Sequence, residues 1–354
     1  MADLSAERKR LGGGAPGCGP LIPPLSETAR PLRQQVFDRV RAAGLIGEGD
    51  PVLQPLTGGV SCDVWKVDTL TGPIVVKRPL EQLRVAAEWH APVERGTSEI
   101  RWLRRARGVD ARMAPEVLAE LPGHGFAMRF LPGCPVWKDE LTAGRVDTGF
   151  AAAVGERIAA VHAASANSAA DRDAFPNDAM FRALRVDPFL LHVARKDAEL
   201  APALEALADD LSARKIALVH GDVSPKNILV SADGPVFLDA ECAVYGDPAF
   251  DLAFCVTHLL LKAVWLDDAR MIAAAGATIA AYRGGVDWEE PGSVLARAGA
   301  LTAGLLLARV EGKSPAPYLT DPDHKHIVRE QARARIAAPV AIDALVTNWK
   351  RNFT

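Results

Sequence analysis

The chain has 354 residues, with 41 Lys plus Arg against 44 Asp plus Glu, a formal charge of −3 and an apolar share of 49%. That apolar share supports a real core and excludes a mostly disordered chain. The near-balanced charge leaves no field to hold a polyanion, so a dedicated nucleic-acid binder is not expected.

Residues 1–30 are rich in Gly and Pro and lack the apolar middle region of a signal peptide. They are expected to form a flexible leader on a cytoplasmic protein. Five cysteines, Cys18, Cys62, Cys134, Cys242 and Cys255, show no metal-knuckle spacing and suit reduced thiols. From 31 to 46 the apolar spacing predicts a helix, with Pro31 in its first turn. Three Val-rich strands follow at 52–56, 61–69 and 74–80, separated by Gly-Gly and Gly-Pro turns that suggest an antiparallel meander. Apolar residues at 100, 103 and 106 predict a helix over 96–108. Strands are expected near 116–120 and 125–131. Residues 31–132 therefore sum to a small antiparallel sheet carrying one helix.

Beyond Pro132 the chain turns Ala-rich and mainly helical over 133–354, with helices predicted at 150–165, 202–215, 252–265, 269–282 and 293–310. No membrane span is expected. The most apolar stretch, 249–266, is interrupted by Asp251, His258 and Lys262, and 298–310 is too short. The second half shows strands only at 216–220, 227–230 and 235–240.

Those strands frame LVHGDVSPKNILVSADGPVFLDAECAVYGDPAFDLAF (218–254), the region that carries chemistry. Asp222 and Asn227 lie on a loop, and a turn at 232–234 would bring Asp239 back beside Asn227. Two oxygen donors on adjacent strand ends suit Mg²⁺, which keeps the rest of its shell for water and phosphate. Asp222 would then face an acceptor hydroxyl as the base. Upstream, Lys77 ends the third strand, where it can reach nucleotide phosphates. Glu99 on the next helix can pair with it, or can be a surface residue beside Arg101 and Arg105. Gly58 and Gly59 form a turn whose backbone N–H groups can cover phosphates.

This order resembles the aminoglycoside phosphotransferase and choline kinase branch of the protein-kinase-like fold. The resemblance covers roughly residues 50–260 and rests on His220-Gly221-Asp222, Asn227, Asp239 and Gly246-Asp247-Pro248 with Asp251-Leu252. It implies a bilobal α+β fold, with a small antiparallel-sheet N-lobe and a larger helical C-lobe. It implies Asp222 as catalytic base, Asn227 and Asp239 as Mg²⁺ ligands, and Lys77, oriented by Glu99, on the α- and β-phosphates of ATP. A hinge at 128–132, including Met128 and Phe130, would offer backbone groups to adenine. His220 and Asp251 would buttress the catalytic loop.

The chain departs from that pattern in two places. Ser224-Pro225-Lys226-Asn227 stands where many relatives have His-Pro-Gly-Asn, and Lys226 adds a cation that touches a phosphate or faces solvent. Asp239-Ala240-Glu241 replaces Asp-Phe-Gly, and Glu241 contacts substrate or pairs with a cation. His162 is expected to be packed, and His324 and His326 lack a third metal ligand. The expected activity is ATP- and Mg²⁺-dependent transfer to the hydroxyl of a small molecule, a metabolite or an antibiotic, and the ordinary, unadorned character of the chain leans toward a metabolite. The alternative is a non-catalytic nucleotide-binding pseudokinase. Oligomeric state has no signal in the sequence.

Overall fold

The computed structural model describes residues 29–47, 52–56, 61–84 and 90–349. Helix α1 (Ala29–Ala42) begins two residues inside the stretch read as a leader, and 1–28 lie outside the described residues. The five-stranded antiparallel sheet comprises β1 (Leu53–Pro55), β2 (Cys62–Val67), β3 (Ile74–Pro79), β4 (Val117–Leu121) and β5 (Gly125–Arg129), in the order β1-β2-β3-β5-β4. The expected meander is therefore present, with the later hairpin added beside β3.

Strand alternation decides what each face carries. Ile74 and Val76 of β3 pack with Val36 and Val40 of α1. Val75 and Lys77 point the other way, toward α2 (Arg95–Val109) and the second lobe. The sheet thus carries a helix on each face rather than the single helix expected. On α2 the predicted apolar stripe, Ile100, Leu103 and Ala106, is buried.

The second lobe is helical: α3 (Trp137–Thr142), α4 (Thr148–Ser165), α5 (Ala169–Ala174) and α6 (Asp178–Phe181) lead into a wide π-turned segment (Arg182–Leu191). There follow α7 (His192–Ala194), α8 (Ala201–Ala213), α9 (Ala249–Leu266), α10 (Arg270–Gly284), α11 (Pro291–Glu311), α12 (Pro322–Ala337) and α13 (Ile342–Trp349). Asp147 caps α4 by accepting from the Gly149 and Phe150 amides at 2.8 and 3.2 Å. Two short ladders lie within this lobe. β6 (Ala217–Val219) pairs with β9 (Val244–Gly246), and β7 (Ile228–Ser231) with β8 (Gly234–Phe237). The turn expected at 232–234 closes the β7–β8 hairpin.

α11 runs 21 residues, from two before to one past the predicted 293–310, and Glu290 caps it at the Ser293 amide. Both α9 and α11 are long and apolar enough to cross a membrane. However, 89% and 67% of their apolar windows are buried inside the protein, as in core helices. α9 is the axis of the lobe.

Candidate active site

The site lies where the sheet's inner face meets the short ladders. Lys77 and Glu99 are both buried, and Lys77 Nζ donates to the two Glu99 carboxylate oxygens at 2.8 and 2.6 Å. The surface alternative for Glu99 is thereby excluded. The same amine bonds Asp239 Oδ1, 162 residues on. Burial works against the ammonium, but the Asp239 and Glu99 carboxylates outweigh it and hold Lys77 well above its ordinary pKa. Lys77 and Lys226 likewise outweigh burial at Asp239 and hold it low, as a carboxylate.

Asp239 lies two residues past β8 with φ +66°, a left-handed conformation that Asp tolerates better than most side chains. That turn lets the Asp239 amide donate to Glu99 Oε1 at 3.1 Å. Leu238 N donates to Asn227 O at 2.8 Å, so the hairpin brings Asn227 and Asp239 together as expected. Asn227 Nδ2 donates to the Asp222 carbonyl at 3.0 Å, which leaves its Oδ1 accepting no bond from the described residues. Asp239 Oδ2 lies 4.0 Å from Lys226 Nζ and accepts no hydrogen bond from the described residues. Two uncommitted hard oxygens therefore face one cleft, a donor set that fits Mg²⁺.

Asp222 is held by its surroundings. Its amide donates to His220 Nδ1 at 3.1 Å, so that ring carries its proton on Nε2 and donates it to Leu238 O at 3.0 Å. Burial lowers the His220 pKa, in keeping with that neutral form. Asp251 accepts from the His220 and Gly221 amides at 2.7 and 2.8 Å and from His162 Nε2 at 3.2 Å. His162 in turn meets the Tyr282 hydroxyl at 2.9 Å. His162 and Asp251 thus brace the loop from beneath. Gly221 has φ +79°, and a Cβ there would lie 2.6 Å from Cys242 O, so only glycine lets the two loops close.

Two cations flank the Asp222 carboxylate. Lys226 Nζ lies 3.0 Å and Arg185 Nη2 3.2 Å from Oδ2. Sequence reasoning singled out Lys226 and missed Arg185, which the π-turned segment delivers; Pro188, inside that segment, is its only local signal. It also missed Arg95. This side chain is fully buried and bonds Glu241 Oε2 at 2.9 Å, the Ser61 carbonyl at 2.6 Å and the carbonyls of Leu80, Ala91 and Pro92. Glu241 therefore pairs with a cation.

Met128 sits on β5 opposite Val75, its side chain in the core, and the Phe130 amide is taken by Pro73 O at 3.4 Å. Hinge donors to a base would have to come from elsewhere in 128–132. Gly58 and Gly59 lie outside the described residues. No group of three or more His, Cys, Asp or Glu able to hold a metal occurs among the described residues, His324 and His326 included.

A methylthioribose kinase from Pectobacterium carotovorum is 26% identical over 232 residues. The match takes in 56% of this chain and 57% of that protein, so the chain spans little more than half of this curated relative. Among solved structures, the amicoumacin kinase hAmiN superposes with a TM-score of 0.57 at 12% identity, covering 90% of this chain and 97% of that one. A choline/ethanolamine kinase family protein from Mesorhizobium loti gives 0.52 at 20% identity, covering 92% and 99%. These two likenesses carry the bilobal, protein-kinase-like fold. Residues 52–295 match the family model of the APH phosphotransferases, more than half of the chain. With that match and that fold, the chain belongs to the phosphotransferase enzyme family.

Proposed function

We propose that this protein is an ATP- and Mg²⁺-dependent kinase that phosphorylates a hydroxyl of a small metabolite. The observation that carries it is the convergence of Lys77, Glu99, Asp222, Asn227 and Asp239, from four segments, on one cleft. In the reaction the acceptor oxygen bonds the γ-phosphorus, the bond to the β-phosphate oxygen breaks, and ADP leaves. Asp222 orients the acceptor hydroxyl and takes its proton. Lys77, steered by Glu99, binds α- and β-phosphate oxygens. Asn227 Oδ1 and Asp239 would hold the metal, which when bound neutralises charge on the phosphates. The rest is positioning and electrostatic stabilisation by these groups.

The Pectobacterium relative is named for a metabolite, methylthioribose, which favours a metabolite over an antibiotic as acceptor. The test is ADP release from MgATP against a panel of hydroxylated metabolites and aminoglycosides, with Asp222→Asn in parallel. Release that depends on an acceptor and vanishes in the variant is the expected result. MgATP binding with no release for any acceptor would return the pseudokinase reading.

A further inference from the structure

The floor beyond Asp222 is cationic. Phe254, His258 and Lys262 rise along one face of α9, about 6 Å per step. The Arg185 guanidinium lies 5.6 Å from the Phe254 ring centre, and the His258 ring centre lies 5.0 Å from that ring, tilted 56° to it. Arg309 of α11 lies 5.9 Å from Phe189, whose ring is 6.0 Å from Phe254. Lys262 Nζ sits between Trp265 and Tyr318, 5.1 and 4.8 Å from their ring centres. Arg185, Lys226 and Arg309 are therefore linked through Asp222, Phe254 and Phe189, and Lys262 joins them around His258, on which all four cations act.

The carboxylates do not match this charge. Arg185 and Lys226 share Asp222. Lys262, only 2% exposed, and Arg309 have no carboxylate within ion-pair distance among the described residues. Arg309 spends Nη1 on Ser314, while its Nε is buried without a partner, as is the Tyr318 hydroxyl. His258 is buried and makes no hydrogen bond to any described residue. Burial and neighbouring cations push His258 well below its usual pKa, and burial together with Lys138 outweighs the Asp139 carboxylate and pulls Lys262 down to about 8. A buried cation lacking an anion is costly unless something supplies one.

We propose that the acceptor is itself an anion, a small hydroxylated carboxylic acid or phosphate ester, whose oxyanion is held by Arg309 and Lys262 while its hydroxyl meets Asp222. This rests on the kinase reading above and narrows it. Lys226, 3.0 Å from Asp222 and 4.0 Å from Asp239, lies between base and metal ligand and serves the phosphoryl group in transfer. Polycationic aminoglycosides and quaternary amines would meet like charge here.

The experiment pairs acceptors by charge: D-glycerate and glycerol 3-phosphate against glycerol, methylthioribose, choline and an aminoglycoside. ADP release and, at saturating MgADP, calorimetric binding are read for each. The expected result is a preference for one of the two anions. Arg309→Met and Lys262→Met should each raise its KM or Kd roughly 10- to 100-fold, with the KM for ATP unchanged and Arg309→Lys partly rescuing. A carboxylate or a phosphate source is told apart by which anion is preferred. Efficient turnover of a neutral or cationic acceptor, unaffected by both variants, would overturn the anionic acceptor and leave the kinase intact. Failure of both anions to bind or react would overturn it too. Binding of an anion with no ADP release for any compound would uphold the oxyanion site and defeat the kinase reading.

Discussion

At the residue scale, Asp222 is a carboxylate pinned by two cations and two loop contacts, so its geometry is set before substrate arrives. Asp222→Asn keeps the shape and removes the proton acceptor. It should lower kcat about 10²- to 10⁴-fold with the Kd for MgATP within a few-fold of wild type, measured by coupled ADP assay and calorimetry. Wild-type turnover would remove the base role. Asp239→Ala removes one of the two uncommitted oxygens and frees Lys77 from its second carboxylate. Turnover should fall to background at any Mg²⁺ concentration, and full activity would refute the metal assignment.

At the scale of elements, the buried Arg95–Glu241 pair ties β2, β3 and α2 to the loop after Asp239. Removing one partner leaves an unpaired buried charge, so Arg95→Met should cost about 3–5 kcal/mol in urea unfolding. The double variant Arg95→Met with Glu241→Met should cost less than the sum of its singles, because no charge is stranded. Helix packing offers a pair of opposite sign. A Cβ at Gly155 of α4 would stand 2.2 Å from Thr278 O of α10, whereas at Gly276 it would meet nothing within 4 Å. Gly155→Ala should destabilise by about 1–3 kcal/mol through forced separation of the two helices. Gly276→Ala should stabilise by about 0.5–1 kcal/mol through helix propensity.

For the whole molecule, the cleft proposed for the nucleotide draws on both lobes: Lys77 and Glu99 from one, Asp222, Asn227 and Asp239 from the other. A ligand that bridges them stabilises the folded state by mass action. MgATP at a hundred times its Kd should add about 2.7 kcal/mol, read as a rise in Tm. Chelating the metal should lower that gain in wild type and leave it unchanged in Asp239→Ala. A gain indifferent to metal in both would place the nucleotide away from Asn227 and Asp239.

The catalytic-loop spacing was legible in the sequence because that chemistry is local. Asp222, Asn227 and Asp239 sit within 18 residues, and one hairpin closes them. Lys77 was legible because it ends an apolar strand run, IVVK, just before the helix that carries Glu99; the face it takes, beside Val75, only the structure shows. Glu99 was not decided, because helical spacing alone does not separate a surface glutamate from a buried partner; only the docking of α2 on the second lobe does. Arg95 and Arg309 left no local trace and Arg185 only the Pro188 of its own segment, since each acts across a long stretch of chain on a group named by another segment. His258 and Lys262 were visible as polar breaks in an apolar helix. Their meaning came only from what α11 and the loop before α12 place opposite them. The sequence by itself thus determined the candidate loop and the fold class, through short-range spacing and periodicity. The clustering of Arg185, Lys226, Lys262 and Arg309 was decided by tertiary packing, which sets side chains from distant segments against one another.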